Sequence, residues 1–259
     1  MRKNRFQNFI EEHAPTDKKL PFLHISNGYN FDKIATGDFL RPQNCRFFQK
    51  DLLYFFYGRP AYKTKQTLNE RLAFDWPVIF VFNYKTIDRF VNSGFPFDSG
   101  AFQSGRYKYF FDDNSNIDDF RFSRGNGNVT RLVSAFYNNN HDYFLGGSTK
   151  NIEIPLDQFE ASGVHELVRV PNHPEAPYHL KYDERSSSIE VFSESAVKIK
   201  GVVDSIVIAK KFLDIPHWRD ALERWKPKRL KTYSVVQNMT PEAFAGMIYR
   251  IIEELTFDE

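Results

Sequence analysis

Cysteine is almost absent from this sequence of 259 residues, which contains only Cys45. A single cysteine excludes an internal disulfide, and the absence of any CxxC pair excludes the common cysteine-based zinc sites. Long apolar runs are missing too, since runs such as Val78–Phe82 and Val202–Ala209 have the length of a strand and not of a membrane span. The basic N-terminal stretch is not followed by an apolar signal core. We therefore expect a cytoplasmic protein without a membrane partner.

A strong net charge and metal-binding motifs are lacking as well. The 35 basic and 33 acidic residues leave a net charge of +2, which by itself indicates no polyanionic partner. No HExxH motif occurs, and His165, His173 and His179 do not have the spacing of convergent metal ligands. We expect no metal cofactor.

Aromatic residues are abundant instead, with 27 Phe and 13 Tyr. Aromatic side chains suit half-buried pleated surfaces and flat ligand pockets better than slim helical bundles. Short apolar runs bounded by turn residues predict a set of strands. These strands are Pro21–Ser26, Leu52–Tyr57, Val78–Asn83, Ile152–Pro155, Glu166–Val170, Ile189–Phe192, Val197–Ile199 and Ser205–Ala209.

Helical spacing and capping residues predict helices in five places. They are the first dozen residues, Asn30–Gly37, Thr130–Asn138, Ile215–Trp225 and a last helix that starts at Thr240-Pro241-Glu242. The polar, glycine-rich stretch Ser93–Gly127 is predicted to run over the surface. Short strands followed by terminal helices favour one α+β domain over residues 1–259, with a core at about 20–213 and a helical C-terminal extension at about 214–259.

The first candidate segment for chemistry is the strand that contains His24. This strand places one imidazole among apolar residues and leads into a short helix that ends at Gly37. A lone histidine specifies no chemistry, so a hydrogen-bonded structural residue is the competing interpretation.

The second candidate segment is an aromatic strand that opens onto Gly58-Arg59-Pro60. The sharp turn displays Tyr57, Arg59 and Tyr62 at the end of the strand. A planar cationic heterocycle needs an aromatic face, and phosphates need a guanidinium fork. A core strand with an aromatic edge is the alternative.

The third candidate segment carries Glu190 between Ile189 and Val191. Side chains alternate along a strand, so Glu190 points away from the face of its two neighbours. It faces solvent if those neighbours face the core, and it is a functional candidate if it faces a pocket. Glu194 lies close enough in sequence to compete for the same role.

Together, the three segments resemble the His-Tyr-Glu pattern of ADP-ribosyltransferases. The order is a histidine on a first strand, a short helix ending in glycine, an aromatic strand with tyrosine, and a late strand with glutamate. The segment DLLYFFYGRPAYK is similar to the aromatic stretch of DarT-type toxins, which modify DNA, and RSSSIEVFSESAVKI looks like the glutamate-bearing strand of that superfamily. The resemblance covers residues 20–62 and 183–213.

The resemblance implies an ADP-ribosyltransferase-like fold, with a split mixed or antiparallel sheet and flanking helices. It implies an enzyme that cleaves NAD and transfers ADP-ribose to a protein or nucleic-acid acceptor without a metal. A toxin or anti-phage role, with an antitoxin as a partner, follows from the same likeness. NAD hydrolysis, with water as the acceptor, and a non-catalytic nucleotide- or RNA-binding module of the same fold are the alternatives.

The resemblance also implies residue roles. His24 hydrogen-bonds the NAD ribose, either Tyr57 or Tyr62 stacks on nicotinamide, and Glu190 binds the 2′-OH of the nicotinamide ribose. The remaining NAD-binding residues are Ser26, Tyr54 and Arg59. Ser188 departs from the pattern, since some families place Gln or Glu two residues before the catalytic Glu.

Two further segments have open interpretations. Phe95–Phe102 contains Asp98 and Ser99 between aromatic residues, and it either borders the NAD pocket or acceptor channel or forms an ordered loop. The basic run Arg224–Lys231, with Trp225 inside it, either grips a nucleic-acid backbone or forms a solvated linker between helices.

Overall fold

The computed structural model describes residues 4–61, 73–125, 127–147, 149–169, 184–236 and 240–257. In chain order the strands are β1 (Phe22–Asn27), β2 (Phe39–Leu40), β3 (Gln43–Cys45), β4 (Lys50–Tyr57), β5 (Pro77–Phe82), β6 (Ser93–Phe95), β7 (Phe122–Ser123), β8 (Glu190–Ser193), β9 (Val197–Lys198), β10 (Val203–Ala209) and β11 (Arg229–Tyr233). The helices are α1 (Arg5–Glu11), α2 (Gly28–Gly37), α3 (Tyr84–Asp88), α4 (Ser99–Gln103), α5 (Asn128–Phe136), α6 (Asn140–Leu145), α7 (Phe159–Arg169), α8 (Pro216–Trp225) and α9 (Pro241–Phe257). This mixture of helices with mainly antiparallel strands confirms the α+β class.

The chain divides into two compact units. The first unit comprises Met1–Lys19, Arg46–Gln49 and Val91–Phe192, and the second comprises Leu20–Cys45, Lys50–Phe90 and Ser193–Glu259. Nothing in the sequence marks this division, because each unit draws on separated stretches of chain.

The second unit is built on a mixed sheet with the strand order β11-β10-β5-β1-β4. β5 pairs antiparallel with both β1 and β10, whereas β11 runs parallel to β10. Every residue of β5 is buried, as its unbroken apolar sequence requires of a strand inside a sheet. The predicted strands in this unit are confirmed.

Helices α2 and α8 pack on Phe80 of β5 through Phe31 and Trp225, and they contact each other through aromatic and polar side chains. The ring of Phe31 on α2 meets Trp218 and Trp225 on α8 edge to face, with centroids 5.0 and 5.9 Å apart. Asp32 accepts a hydrogen bond from the Trp218 indole at 2.8 Å, and Asp38 accepts one from the Trp225 indole at 2.6 Å. The two predicted helices are confirmed, and these contacts join them.

The C-terminal extension differs from the predicted helical tail because it contains β11. The basic run is therefore not a linker between helices: its end, from Arg229, enters the sheet beside β10. Leu230 and Thr232 alternate with basic side chains there, which is a strand period and not a helical one. Helix α9 starts at Pro241, as its capping sequence predicts.

The first unit contains three short antiparallel strands in the order β8-β6-β7, with helix α1 packed against α5 and α7. The predicted surface course of Ser93–Gly127 is wrong. Phe97 and Phe120 are fully buried, and they form one aromatic cluster with Phe102 and Phe111. Polar residues between these rings form turns. The composition of the stretch therefore resembles that of a surface loop, although its aromatic residues form a core.

Two other strand predictions in the first unit are wrong. Glu166–Arg169 belongs to α7, because Ala161, Val164 and Leu167 give a buried helical stripe that outweighs the local alternation. Residue 170 lies outside the described residues. Ile152–Pro155 is described and pairs with no described strand.

None of the helices in the described part of the chain combines the length and the apolar character that crossing a membrane needs.

Candidate functional site

Glu190 is a buried carboxylate at the start of β8. It lies opposite Phe95 in the register of β6 and β8, and only 4% of the residue is exposed. Ile189 and Val191 are fully buried as well. The interpretation in which Glu190 faces solvent is therefore wrong, since both faces of this strand are covered.

Ser99 holds one oxygen of this carboxylate. The Ser99 hydroxyl donates to Glu190 Oε1 at 2.5 Å, and the Ser99 amide donates to the same oxygen at 3.3 Å. Ser99 is the first residue of α4, and the Asp98 carboxylate before it caps the helix by accepting from the Ala101 amide at 2.7 Å. From the sequence alone, Asp98 and Ser99 are candidates only for a segment that borders the NAD pocket or the acceptor channel.

Backbone contacts hold both sides of this arrangement. The Asp98 amide donates to the Arg185 carbonyl at 3.1 Å, and the Ile189 amide donates to the Tyr143 hydroxyl at 3.1 Å. Tyr143 is fully buried on α6. Main-chain groups of the segment that leads into Glu190 are therefore hydrogen-bonded to two other parts of the first unit, to a main-chain amide in one case and to a side-chain hydroxyl in the other.

Glu194, the competing carboxylate, has a different environment. Half of its side chain is exposed, and it forms an ion pair with Lys50 at 3.5 Å, where the lysine side chain is also mostly exposed. Ion pairs of this kind are screened by water and contribute little. Of the two, Glu190 has the buried setting in which a carboxylate acts strongly on a nearby charge.

His24 is half-buried on β1, and its ring lies near Phe55 and Phe80, with centroids 5.9 and 6.1 Å away. Its Nδ1 lies 2.9 Å from the Tyr54 carbonyl oxygen. A carbonyl oxygen only accepts, so Nδ1 carries the proton. Burial lowers the pKa of His24, against a smaller opposing effect of this bond. The ring is therefore neutral near pH 7, and Nε2 is an acceptor.

Tyr57 does not have the exposed face that stacking on nicotinamide needs. Its ring is fully buried and packs edge to face against Phe22 and Tyr84, at 5.5 and 6.1 Å. Its hydroxyl accepts a hydrogen bond from the Leu20 amide at 2.9 Å. These contacts favour the core-strand interpretation for Tyr57. Tyr62, the other residue predicted to stack, lies outside the described residues.

Arg59 is also enclosed and not displayed at the end of the strand. It is 3% exposed, and its guanidinium carbon lies 5.9 Å from the centre of the Tyr249 ring on α9. Ser26 is buried, with its hydroxyl donating to the Asn27 carbonyl at 3.4 Å. The side chain of Tyr54 is half-buried, and its carbonyl oxygen is the acceptor for His24.

The predicted site residues fall into both units. Glu190 belongs to the first unit, and the second contains His24, Ser26, Tyr54, Tyr57 and Arg59. Within the second unit the structure joins His24 to Tyr54 directly. No group of three or more His, Cys, Asp or Glu suited to a metal ion occurs in the described ranges.

Four of the five basic residues in the basic run Arg224–Lys231 form ion pairs with carboxylates of their own unit. Its ion pairs are Arg224–Asp38 at 2.8 Å, Lys228–Asp204 at 3.0 Å, Arg229–Asp204 at 3.1 Å and Lys231–Glu254 at 3.6 Å. Cations that already have carboxylate partners attract phosphates less than free ones do. These pairs weigh against the interpretation in which this run binds the backbone of a nucleic acid.

Comparisons of the chain with protein-family models, with curated proteins and with solved structures found no match.

Proposed function

We propose that the protein is a mono-ADP-ribosyltransferase of ADP-ribosyltransferase-like fold, which cleaves NAD and passes ADP-ribose to a macromolecular acceptor. Glu190 is the catalytic carboxylate of this proposal. The observation that carries it is the setting of Glu190, which is buried while one of its oxygens accepts two bonds from Ser99.

The chemistry requires a carboxylate in such a setting. Cleavage of the bond between nicotinamide and ribose builds positive charge on the sugar, as in glycoside hydrolysis. A negative charge beside that ribose stabilises the transition state more than the ground state, because the positive charge of bound NAD lies on the nicotinamide ring and moves to the sugar only as the bond breaks. The same carboxylate accepts the proton that the acceptor loses as its nucleophilic atom bonds to C1 of the ribose.

The state of His24 supports its proposed role in binding NAD. A neutral imidazole with its proton on Nδ1 offers Nε2 as an acceptor for a ribose hydroxyl. A charged imidazole would have no acceptor, and it would also repel the positive charge on nicotinamide. The lowered pKa of His24 keeps the required form at neutral pH.

The proposed cellular role is that of a cytoplasmic toxin or anti-phage effector, restrained by an antitoxin. It rests on the resemblance of the His24, Tyr54–Tyr62 and Glu190 segments to the DarT-type toxins. Expression of the active protein is then expected to harm its host, and Glu190→Gln is expected to remove the harm.

The test follows NAD labelled in its adenine through a reaction with purified wild-type protein, with and without cell lysate. We expect label in protein or nucleic acid, and we expect Glu190→Gln to lose it. Label found only as free ADP-ribose would identify an NAD hydrolase instead. NAD that binds without turnover, or does not bind at all, would contradict an NAD-cleaving enzyme and favour a binding module.

A further inference from the structure

We infer that Ser99 is a positioning residue for Glu190, because its hydroxyl and amide together fix one carboxylate oxygen and thereby set the direction of the other. The inference rests on the proposed function, in which Glu190 acts on the ribose of NAD. It concerns how the carboxylate is held, and it assigns Ser99 no contact with NAD.

The two hydrogen bonds from Ser99 converge on one carboxylate oxygen. Both donors of Ser99 point to Oε1, at 2.5 Å from the hydroxyl and 3.3 Å from the amide. A hydroxyl-to-oxygen distance near 2.5 Å is typical of a bond to an ionised carboxylate, and such bonds are about twice as strong as neutral ones. Two donors on one oxygen restrict rotation of the carboxylate about its last bond.

The residues beside Ser99 are themselves held in place by other contacts. Asp98, 2% exposed, caps α4 through the Ala101 amide, and its own amide donates to the Arg185 carbonyl. Phe97, one residue earlier, stacks on Phe102 with nearly parallel rings 5.5 Å apart. Ser99 therefore has its place before any substrate arrives, which is the condition for preorganised catalysis.

The path of the chain connects the strand that pairs with Glu190 to Ser99. β6 pairs with β8 so that Phe95 lies directly opposite Glu190. The chain then turns, and four residues later it returns with Ser99 at the carboxylate. The strand that fixes the backbone of Glu190 is thus continuous with the loop that fixes its side chain, and a shift of register between β6 and β8 would lose both.

The expected consequence of removing the hydroxyl is a loss of rate and not of binding. Ser99→Ala leaves the amide bond to Oε1 and removes the shorter one, so the carboxylate gains rotational freedom. Misplacement of a catalytic group by about 1 Å can cost a factor of roughly 100, so we expect kcat to fall between about tenfold and 100-fold. The KM for NAD should change little.

The experiment compares wild type, Ser99→Ala, Ser99→Thr and Ser104→Ala. Ser104 is the matched control, because its hydroxyl donates to the Ala101 carbonyl at the other end of the same helix. Ser99→Thr keeps a hydroxyl and should recover part of the rate. The measurements are kcat and KM for nicotinamide release from NAD, together with crystal structures of wild type and Ser99→Ala that locate the Glu190 carboxylate.

Support requires that kcat falls in Ser99→Ala and not in Ser104→Ala, that Ser99→Thr keeps more of the rate than Ser99→Ala, and that the carboxylate rotates in the crystal. Equal rates for Ser99→Ala and Ser104→Ala would overturn the inference while leaving the proposed function intact. A wild-type protein without NAD turnover would overturn the proposed function, and the crystal structures would then decide the positioning. A carboxylate unmoved in Ser99→Ala overturns the inference in either case.

Discussion

Glu190 in the first unit and His24 in the second are held in opposite ways. His24 is oriented by a main-chain carbonyl, that of Tyr54, which every residue at that position would supply. Glu190 is oriented in part by a side chain, that of Ser99, which lies 91 residues away in sequence. The position of His24 therefore depends on strand pairing, whereas the position of Glu190 depends on the identity of a distant residue.

The cores of the two units also differ in the contacts that hold them together. The second unit is organised by a sheet in which β5 is buried along its whole length. The first unit has strands of two to four residues, and the aromatic cluster around Phe120 takes the place of a large sheet. Hydrogen-bonded strands impose order on the second unit, while ring packing does so in the first.

The largest effect is expected from emptying the aromatic cluster. Phe120 is fully buried, and its ring lies 4.6 to 6.1 Å from those of Phe6, Phe97, Phe102 and Phe111. Phe120→Ala should lower the free energy of unfolding by about 3–5 kcal/mol, because it removes a ring and leaves a cavity. Urea denaturation measures this change.

The control for the cluster is Tyr109→Ala in the same unit, where the ring is exposed. Tyr109→Ala should change the free energy of unfolding by no more than about 0.5 kcal/mol. Equal effects of the two substitutions would contradict an aromatic core in the 93–127 stretch.

A smaller difference in stability is expected between alanine substitutions at two glycines, one from each unit. A Cβ on Gly94 of β6 would lie 2.5 Å from the Glu190 carbonyl oxygen and 2.7 Å from the Phe122 ring, whereas one on Gly37 of α2 would meet nothing within 4 Å. Gly94→Ala should lower the free energy of unfolding by about 1–3 kcal/mol, because the added methyl group overpacks the space between the strands. Gly37→Ala should be neutral or stabilising by up to about 1 kcal/mol, since alanine favours helices.

Urea denaturation of both glycine variants gives the comparison. A tolerated Gly94→Ala, with unchanged stability and activity, would mean that β6 does not approach β8 as closely as described.

The smallest expected effect is a pH dependence that arises from His24. Its pKa in the folded protein lies below the ordinary value of 6.5, so the unfolded chain binds the proton first as the pH falls. The stability contributed by the neutral ring is complete above pH 6.5 and is lost as the pH falls through the folded pKa. His24→Asn keeps a donor near the place of Nδ1 and removes the titration.

Urea midpoints of wild type and His24→Asn, measured from neutral pH down to about pH 5, test this sign. The wild type should lose more stability than the variant over that range. Parallel curves would show that His24 does not become harder to protonate on folding.

The sequence predicted the second unit better than the first, and the physical reason is length. β1, β4, β5 and β10 are long enough to form recognisable apolar runs, and Asn27 gives α2 a recognisable cap. Strands of two or three residues, such as β6 and β7, have no period to detect. The strand predicted at Glu166–Val170 is wrong over Glu166–Arg169, because this short part of α7 also fits the alternation of apolar and polar residues that is typical of a strand.

The candidate site could be predicted only in part for a related reason. Glu190 and His24 stand out as polar residues within apolar strands, so local sequence was enough to select them. The contact between Ser99 and Glu190 depends on the pairing of β6 with β8, and no feature of the sequence near either residue predicts that pairing. The enclosure of Tyr57 and Arg59 likewise comes from residues distant in sequence, Tyr84 and Tyr249.

We propose that the buried carboxylate of Glu190, and not the exposed one of Glu194, acts on NAD. The most direct test is the rate of nicotinamide release at saturating NAD by Glu190→Gln and by Glu194→Gln, each relative to wild type. We expect a loss of at least about 100-fold for Glu190→Gln, the range found for removal of a preorganised electrostatic group. Glu194→Gln should stay within roughly twofold of wild type, as expected of an exposed residue in a weak ion pair. A Glu190→Gln variant that keeps the wild-type rate, or a Glu194→Gln variant that loses it, would show that Glu190 is not the catalytic carboxylate.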